Sequence, residues 1–128
     1  MIVTIGKREL NIAYEDELTI ELERLKELEE VSISGHGTTS ILALFNAKSS
    51  FLLYFRFQDG DHGFQSIDLE QDRSKNEEFL LSNGQVDVYP LHVLRTRQEG
   101  IDALVYYFQT GHMSPEVDWI SQAKGTIE

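Results

Sequence analysis

The sequence predicts a single α+β domain in which one antiparallel β-sheet packs against two α-helices. Leucines recur at helical spacing from Asp16 to about Glu29, and a second helical pattern with defined ends runs from Thr96 to Gly111. Between and around them lie runs of β-branched and aromatic residues separated by turn-forming residues, which is the pattern of short strands. A chain of 128 residues, 41% of them apolar, has room for one such domain spanning residues 1–128.

The first quarter of the chain predicts a small hairpin followed by a helix. Ile2 to Ile5 forms a short strand, Gly6-Lys7 a turn, and Glu9 to Ile12 a possible return strand. Asp16 is placed to cap the following helix. The leucines that would form its buried stripe are Leu18, Leu22, Leu25 and Leu28.

The middle of the chain predicts strands at Val31 to Ser34, Ile41 to Asn46 and Phe51 to Phe57. The last of these runs is nearly all apolar, so we expect a central strand that is covered on both faces. Asp59 to Gly63 is typical of a tight turn, after which the chain returns through Phe64 to Leu69.

Two local signals dominate the second half. Asn83-Gly84 between two strand-like runs predicts a hairpin, since both residues tolerate positive φ. Thr96 and Glu99 have the spacing of a capping box, and Gly111 stands where a left-handed helix end belongs. The predicted apolar face of this helix consists of Ile101, Leu104, Val105 and Phe108, and Val117 to Trp119 is a candidate final strand.

The charge pattern predicts the class of partner. The formal charge is −11, and acidic residues outnumber basic ones in every third of the chain. Nucleic acid and anionic membranes are therefore poor partners, whereas a basic protein would be attracted. No segment reaches the ~20 apolar residues of a membrane-spanning helix. The chain has no cysteine, which excludes disulfides and thiol chemistry, and we expect a cytoplasmic protein.

No residue pattern specifies catalysis or a metal site. The four histidines are far apart in sequence, and no pair has the spacing that places two imidazoles on one helix face. The run from Asp59 fails as a calcium loop because Phe64 occupies the position that requires glycine for the sharp turn. The sequence predicts no catalytic residue, cofactor or metal, although an enzyme with an unrecognised carboxylate pair remains an alternative.

The second half of the chain carries a resemblance to a known family. The run from Phe79 through Asn83-Gly84 to Pro90, the capped helix, and an ordered set of closing residues resemble immunity family one, whose members are encoded beside bacterial polymorphic toxins. The resemblance covers roughly residues 41–120. The closing residues that keep the family spacing are Thr110, Gly111, Pro115, Val117 and Trp119. The sequence departs from the pattern at Ser114 and Glu116.

The resemblance implies an α+β protein that binds and inactivates a cognate toxin and has no catalytic residues. Related proteins are often paired with toxins of the deaminase superfamily, which act on nucleic acid and carry basic grooves. The competing interpretation is an acidic adaptor or regulatory domain that binds an unrelated basic protein.

Acidic side chains at the ends of two predicted strands and in the adjoining loops are the candidate partner-binding residues. We expect contacts first from Asp68, Glu70 and Asp72, and next from Glu116 and Asp118. Trp119, the only tryptophan, is either a core anchor or a contact residue for the partner.

Overall fold

The computed structural model describes residues 1–56, 62–122 and 125, and it has an α+β fold. These described residues form ten strands, two α-helices and one short 3-10 helix. In chain order they are β1 (Ile2–Ile5), β2 (Arg8–Asn11), α1 (Glu15–Glu23), β3 (Glu29–His36), β4 (Thr39–Phe45), β5 (Ser49–Arg56), β6 (Phe64–Ile67), β7 (Asn76–Leu80), β8 (Val86–Pro90), the 3-10 helix (Leu91–Val93), β9 (Arg95–Thr96), α2 (Arg97–Thr110) and β10 (Asp118–Ser121).

The strands form two sheets, so the expectation of a single sheet was wrong. The main sheet has eight strands in the order β10-β6-β5-β4-β3-β1-β2, with β9 paired to the start of β5, and all its pairings are antiparallel. The hairpin β7–β8 forms a second, two-stranded sheet. It does not extend the main sheet, because Phe79 and Tyr89 pack against the outer face of that sheet, where Tyr89 stacks on Phe51.

Strand β5 is buried on both faces, as its apolar sequence predicted. Leu52 and Tyr54 belong to the core cluster on the helix side. Phe51 and the partly buried Leu53 belong to the cluster under the hairpin and the 3-10 helix. The main sheet therefore lies between a helical layer and a smaller β layer.

Helix α1 is shorter than the leucine spacing predicted. It ends at Glu23, not near Glu29, and it begins after Tyr14, so Asp16 lies in its first turn and is not its cap. Beyond the helix the carbonyls of 25–27 accept hydrogen bonds from the guanidinium of Arg97, at 2.9 to 3.3 Å, and the chain enters β3 at Glu29. Leu18 and Leu22 within the helix are buried, whereas Leu28 beyond its end is 43% exposed.

Helix α2 has the predicted ends. The Thr96 hydroxyl accepts from the Glu99 N–H at 3.1 Å, Glu99 accepts in return from the Thr96 N–H at 3.1 Å, and Gly111 has a φ of 75°. The capping box and the left-handed end are both confirmed. The helix is thereby fixed at both termini.

The buried face of α2 is rotated from the predicted one. Leu104 and Phe108 are buried as expected, but Ile101 and Val105 are only partly buried. The residues that complete the buried face are Gly100, Ala103 and Tyr107. Gly100 lies directly against Ser50, with no room for a side chain, and this contact sets the rotation of the helix.

The β7–β8 hairpin confirms the strand prediction but uses a different turn. Gly84 has a φ of 90°, while no non-glycine residue in the described chain has positive φ, so Asn83 does not adopt the expected left-handed conformation. The Gly84 N–H donates to the Leu81 carbonyl, and the Leu81 N–H donates to Gln85, which defines a three-residue connection. Phe57 and most of the turn predicted at 59–63 lie outside the described residues.

Candidate protein-binding site

The main sheet brings some of the predicted acidic residues together at one corner. Strands β6 and β10 pair so that Asp118 lies opposite Ile67, the residue immediately before Asp68. Arg95 occupies the same corner: it donates to the Ile67 carbonyl at 3.0 Å, lies 3.8 Å from the Asp118 carboxylate, and pairs with Glu99 at 2.6 Å. One largely buried cation therefore offsets part of the negative charge here.

The loop after β6 orients its carboxylates through local hydrogen bonds. Asp68 accepts from the Glu70 N–H at 3.1 Å, and Asp72 accepts from the N–H and hydroxyl of Ser74 at 2.8 and 2.7 Å. The Ser74 hydroxyl and N–H lower the pKa of Asp72. Glu70 and Asp72 are exposed and Asp68 is half-buried, so the loop presents negative charge to solvent.

Glu116 lines a groove along α2. The groove has a volume of about 480 Å³ and is bounded by α1, by one face of α2 and by the segment that precedes β10. Its lining residues are Thr19, Glu23, Gln98, Ile101, Asp102, Val105, Tyr106, Gln109, Ser114 and Glu116. The predicted contact residues thus fall into two groups, with Glu116 in the groove and Asp118 at the corner of the sheet from which the 68–72 loop begins.

The groove combines an apolar surface with carboxylates. Ile101 and Val105 contribute the aliphatic surface, and none of the lining residues is basic. Glu23, Asp102 and Glu116 form no ion pair with any other residue in the described chain. Within this lining, Gln98 donates to Asp102 at 2.9 Å.

Three of the five closing residues that carry the sequence resemblance are buried next to the segment that forms one wall of the groove. Gly111 is buried beneath the His36 ring, and its carbonyl accepts from the Tyr54 hydroxyl at 3.0 Å. Val117 and Trp119 are buried, and the Trp119 indole donates to the Ser114 carbonyl at 2.9 Å. Trp119 is therefore a core anchor, as the first of its two interpretations proposed. Thr110 and Pro115 are the exposed members of the set.

The histidines occupy separate structural settings. His36 forms a 3.0 Å hydrogen bond with the Phe108 carbonyl, and its ring meets Tyr107 edge-on. His62 and His112 are exposed, while His92 is half-buried with no hydrogen-bond partner at Nδ1 among the described residues. Within residues 1–56 and 62–122, no group of three or more histidine or acidic side chains is arranged to hold a metal ion.

Comparison with known proteins gives no match to a family model and no match to a curated protein. The resemblance to immunity family one therefore remains a prediction from the residues quoted above. Among the helices of the described chain, none is long and apolar enough to cross a membrane.

Sequence reasoning missed the groove as a site. It placed Ile101 and Val105 in the core because both fit the apolar face of α2, and it did not single out Glu23 or Asp102 as contact residues. The only signal in the sequence was the acidic Glu116 close to the end of α2. Nothing in the residue order indicated that α1 and the segment before β10 would border the same face of α2.

Proposed function

We propose that this protein is an immunity protein that binds and inactivates a cognate bacterial polymorphic toxin by protein–protein association. It acts without catalysis, cofactor or metal, from the cytoplasm. The toxin domain is basic, as expected for an enzyme of the deaminase superfamily or another enzyme that acts on nucleic acid.

The observation that carries the proposal is the uncompensated negative charge of a well-packed fold. Among pairs of described residues, ion pairs involve only three carboxylates, those of Glu21, Glu99 and Asp118. With a net charge of −11, the remaining acidic side chains produce a field that attracts a basic surface over roughly one Debye length, about 8 Å at physiological salt.

The type of partner follows from this charge together with the sequence resemblance. A substrate groove for nucleic acid is lined by lysine and arginine. An acidic protein is complementary to such a groove in charge and can occupy it in place of the substrate. The resemblance over residues 41–120 supports a toxin in preference to other basic proteins. An acidic adaptor for an unrelated basic protein shares the electrostatic argument but lacks the support of the resemblance.

Coexpression tests the proposal. The C-terminal domain of the protein encoded directly upstream should arrest growth when expressed alone, and coexpression of this chain should restore growth and yield a copurifying complex. Growth arrest that this chain does not relieve, with no complex recovered, would contradict toxin immunity. Recovery of a different basic protein in its place would favour the adaptor function.

A further inference from the structure

We infer that the groove along α2 is the docking site for an arginine side chain on a segment of the basic partner. This inference deepens the proposed function and rests on it, because it names the surface that contacts the toxin and the chemistry that the surface recognises. It differs from the sequence-based expectation, which put the main contacts in the 68–72 loop.

The shape of the groove suits an inserted side chain. Its volume of about 480 Å³ falls within the range of about 300–1,000 Å³ that is typical of ligand pockets. Its surface includes Ile101 and Val105, which α2 turns away from the fully buried stripe. Both residues are only partly buried, so apolar surface remains to be covered.

The charge of the groove selects a cation. Glu23 on α1, Asp102 on α2 and Glu116 before β10 approach it from three different segments of the chain. All three residues are exposed, and no basic side chain lines the groove, so the groove attracts a cation and repels an anion, whereas a neutral ligand gains no charge interaction. A second copy of this chain would add another charge of −11 and is disfavoured for the same reason.

The mixed lining favours arginine over lysine. The methylene stem of an arginine can cover Ile101 and Val105 while its guanidinium reaches the carboxylates. The planar guanidinium donates to two acceptors at once and stacks on aromatic rings, and Tyr106 provides such a ring in the same lining. A lysine ammonium supplies charge without this planar geometry.

Paired amide substitutions test the inference with the toxin. Asp102→Asn with Glu116→Gln removes two groove charges while keeping side-chain size, and the amide oxygen introduced at position 102 can still accept from Gln98. Glu9→Gln with Glu78→Gln is the matched control, since it removes the same charge from two exposed residues outside the groove. We expect the groove variant to bind the toxin about tenfold more weakly, because it loses desolvated charge contacts, and the control to lose less than about threefold. Equal losses in the two variants would overturn the inference but leave the proposed function standing.

A peptide probe tests the groove independently of the toxin. The probe is acetyl-Gly-Leu-Arg-Leu-Arg-Gly-amide, titrated into the isotope-labelled protein and followed by amide chemical shifts, with the citrulline-containing and lysine-containing analogues as controls. We expect the arginine peptide to shift residues 98–109 and 114–116, the citrulline peptide to shift none of them, and the groove variant to lose the response. No response, a response centred on residues 68–72, or equal binding of all three peptides would overturn the inference. If the peptide binds as expected but the toxin does not bind the wild-type protein, the proposed function fails and the groove site stands.

Discussion

The indole nitrogen of Trp119 donates a 2.9 Å hydrogen bond to the main-chain carbonyl of Ser114, and both residues are buried. This bond ties the last strand of the main sheet to the segment that carries Glu116 into the groove. The Ser114 hydroxyl in turn accepts from the Glu116 N–H at 3.2 Å. The core of the protein therefore fixes the position of one wall of the candidate site.

Replacing Trp119 with phenylalanine should lower the free energy of unfolding by about 1–3 kcal/mol, because the Ser114 carbonyl loses the shorter of its two hydrogen bonds and keeps only the one from the Val117 N–H at 3.4 Å. Urea denaturation followed by circular dichroism measures the change. An unchanged midpoint would mean that the indole hydrogen bond does not hold this segment.

Leu104 is fully buried between α2 and the main sheet. Leu104→Ala should destabilise the protein by about 2–5 kcal/mol through lost burial and the cavity left behind, as measured by urea denaturation. Ile20→Ala is the matched control, since Ile20 is 48% exposed on α1 and should change stability little. Equal effects for the two variants would contradict the assigned buried face of α2.

The contribution of Glu99 to stability at the start of α2 depends on pH. Burial opposes ionisation, but hydrogen bonds from Arg95 and from the Thr96 N–H prevail and lower the pKa of Glu99. Its contribution to stability is therefore present above the unfolded pKa of about 4.3 and is lost as the pH falls through the lower folded value.

Unfolding measurements from pH 7 to pH 3 on the wild type and Glu99→Gln test this coupling. The stability difference between the two proteins should be largest above about pH 5 and should narrow at lower pH. A difference that does not vary with pH would show that the charge of Glu99 contributes nothing.

The acidic loop after β6 should affect the rate at which the toxin binds. Reversal of Asp68, Glu70 and Asp72 to lysine would also break the hydrogen bonds that Asp68 and Asp72 accept, so charge and loop structure would change together. The variant Asp68→Asn, Glu70→Gln, Asp72→Asn keeps oxygen acceptors and removes only charge. We expect association at low salt to slow by about three- to tenfold and this difference to fade as salt is added. Association at the wild-type rate in low salt would exclude this loop from the encounter surface.

Local signals in the sequence predicted local structure. Thr96, Glu99 and Gly111 set the ends of α2 through interactions within a few residues, and the nearly continuous apolar run from Phe51 correctly indicated burial on two faces. The leucine spacing predicted too long a helix α1, because the chain beyond it is held by long-range contacts: Glu29 pairs with Phe45 of β4, and the carbonyls of 25 and 26 accept from Arg97, about seventy residues further along the chain.

The candidate site could be predicted only in part for the same reason. Composition indicated an acidic binding protein, and Glu116 was among the expected contacts. The groove depends on the rotation of α2, which the close approach of Gly100 to Ser50 sets. The separate β7–β8 sheet likewise depends on packing of Phe79 and Tyr89 across the main sheet, which strand propensity does not encode.

Titration of the purified toxin domain with this protein tests the central claim most directly. We expect activity of the toxin on its substrate to fall linearly to zero at one equivalent of the protein, with a Kd in the nanomolar range or below, about −12 kcal/mol or stronger. Full toxin activity in the presence of excess protein, at salt low enough to favour charge pairing, would contradict the account.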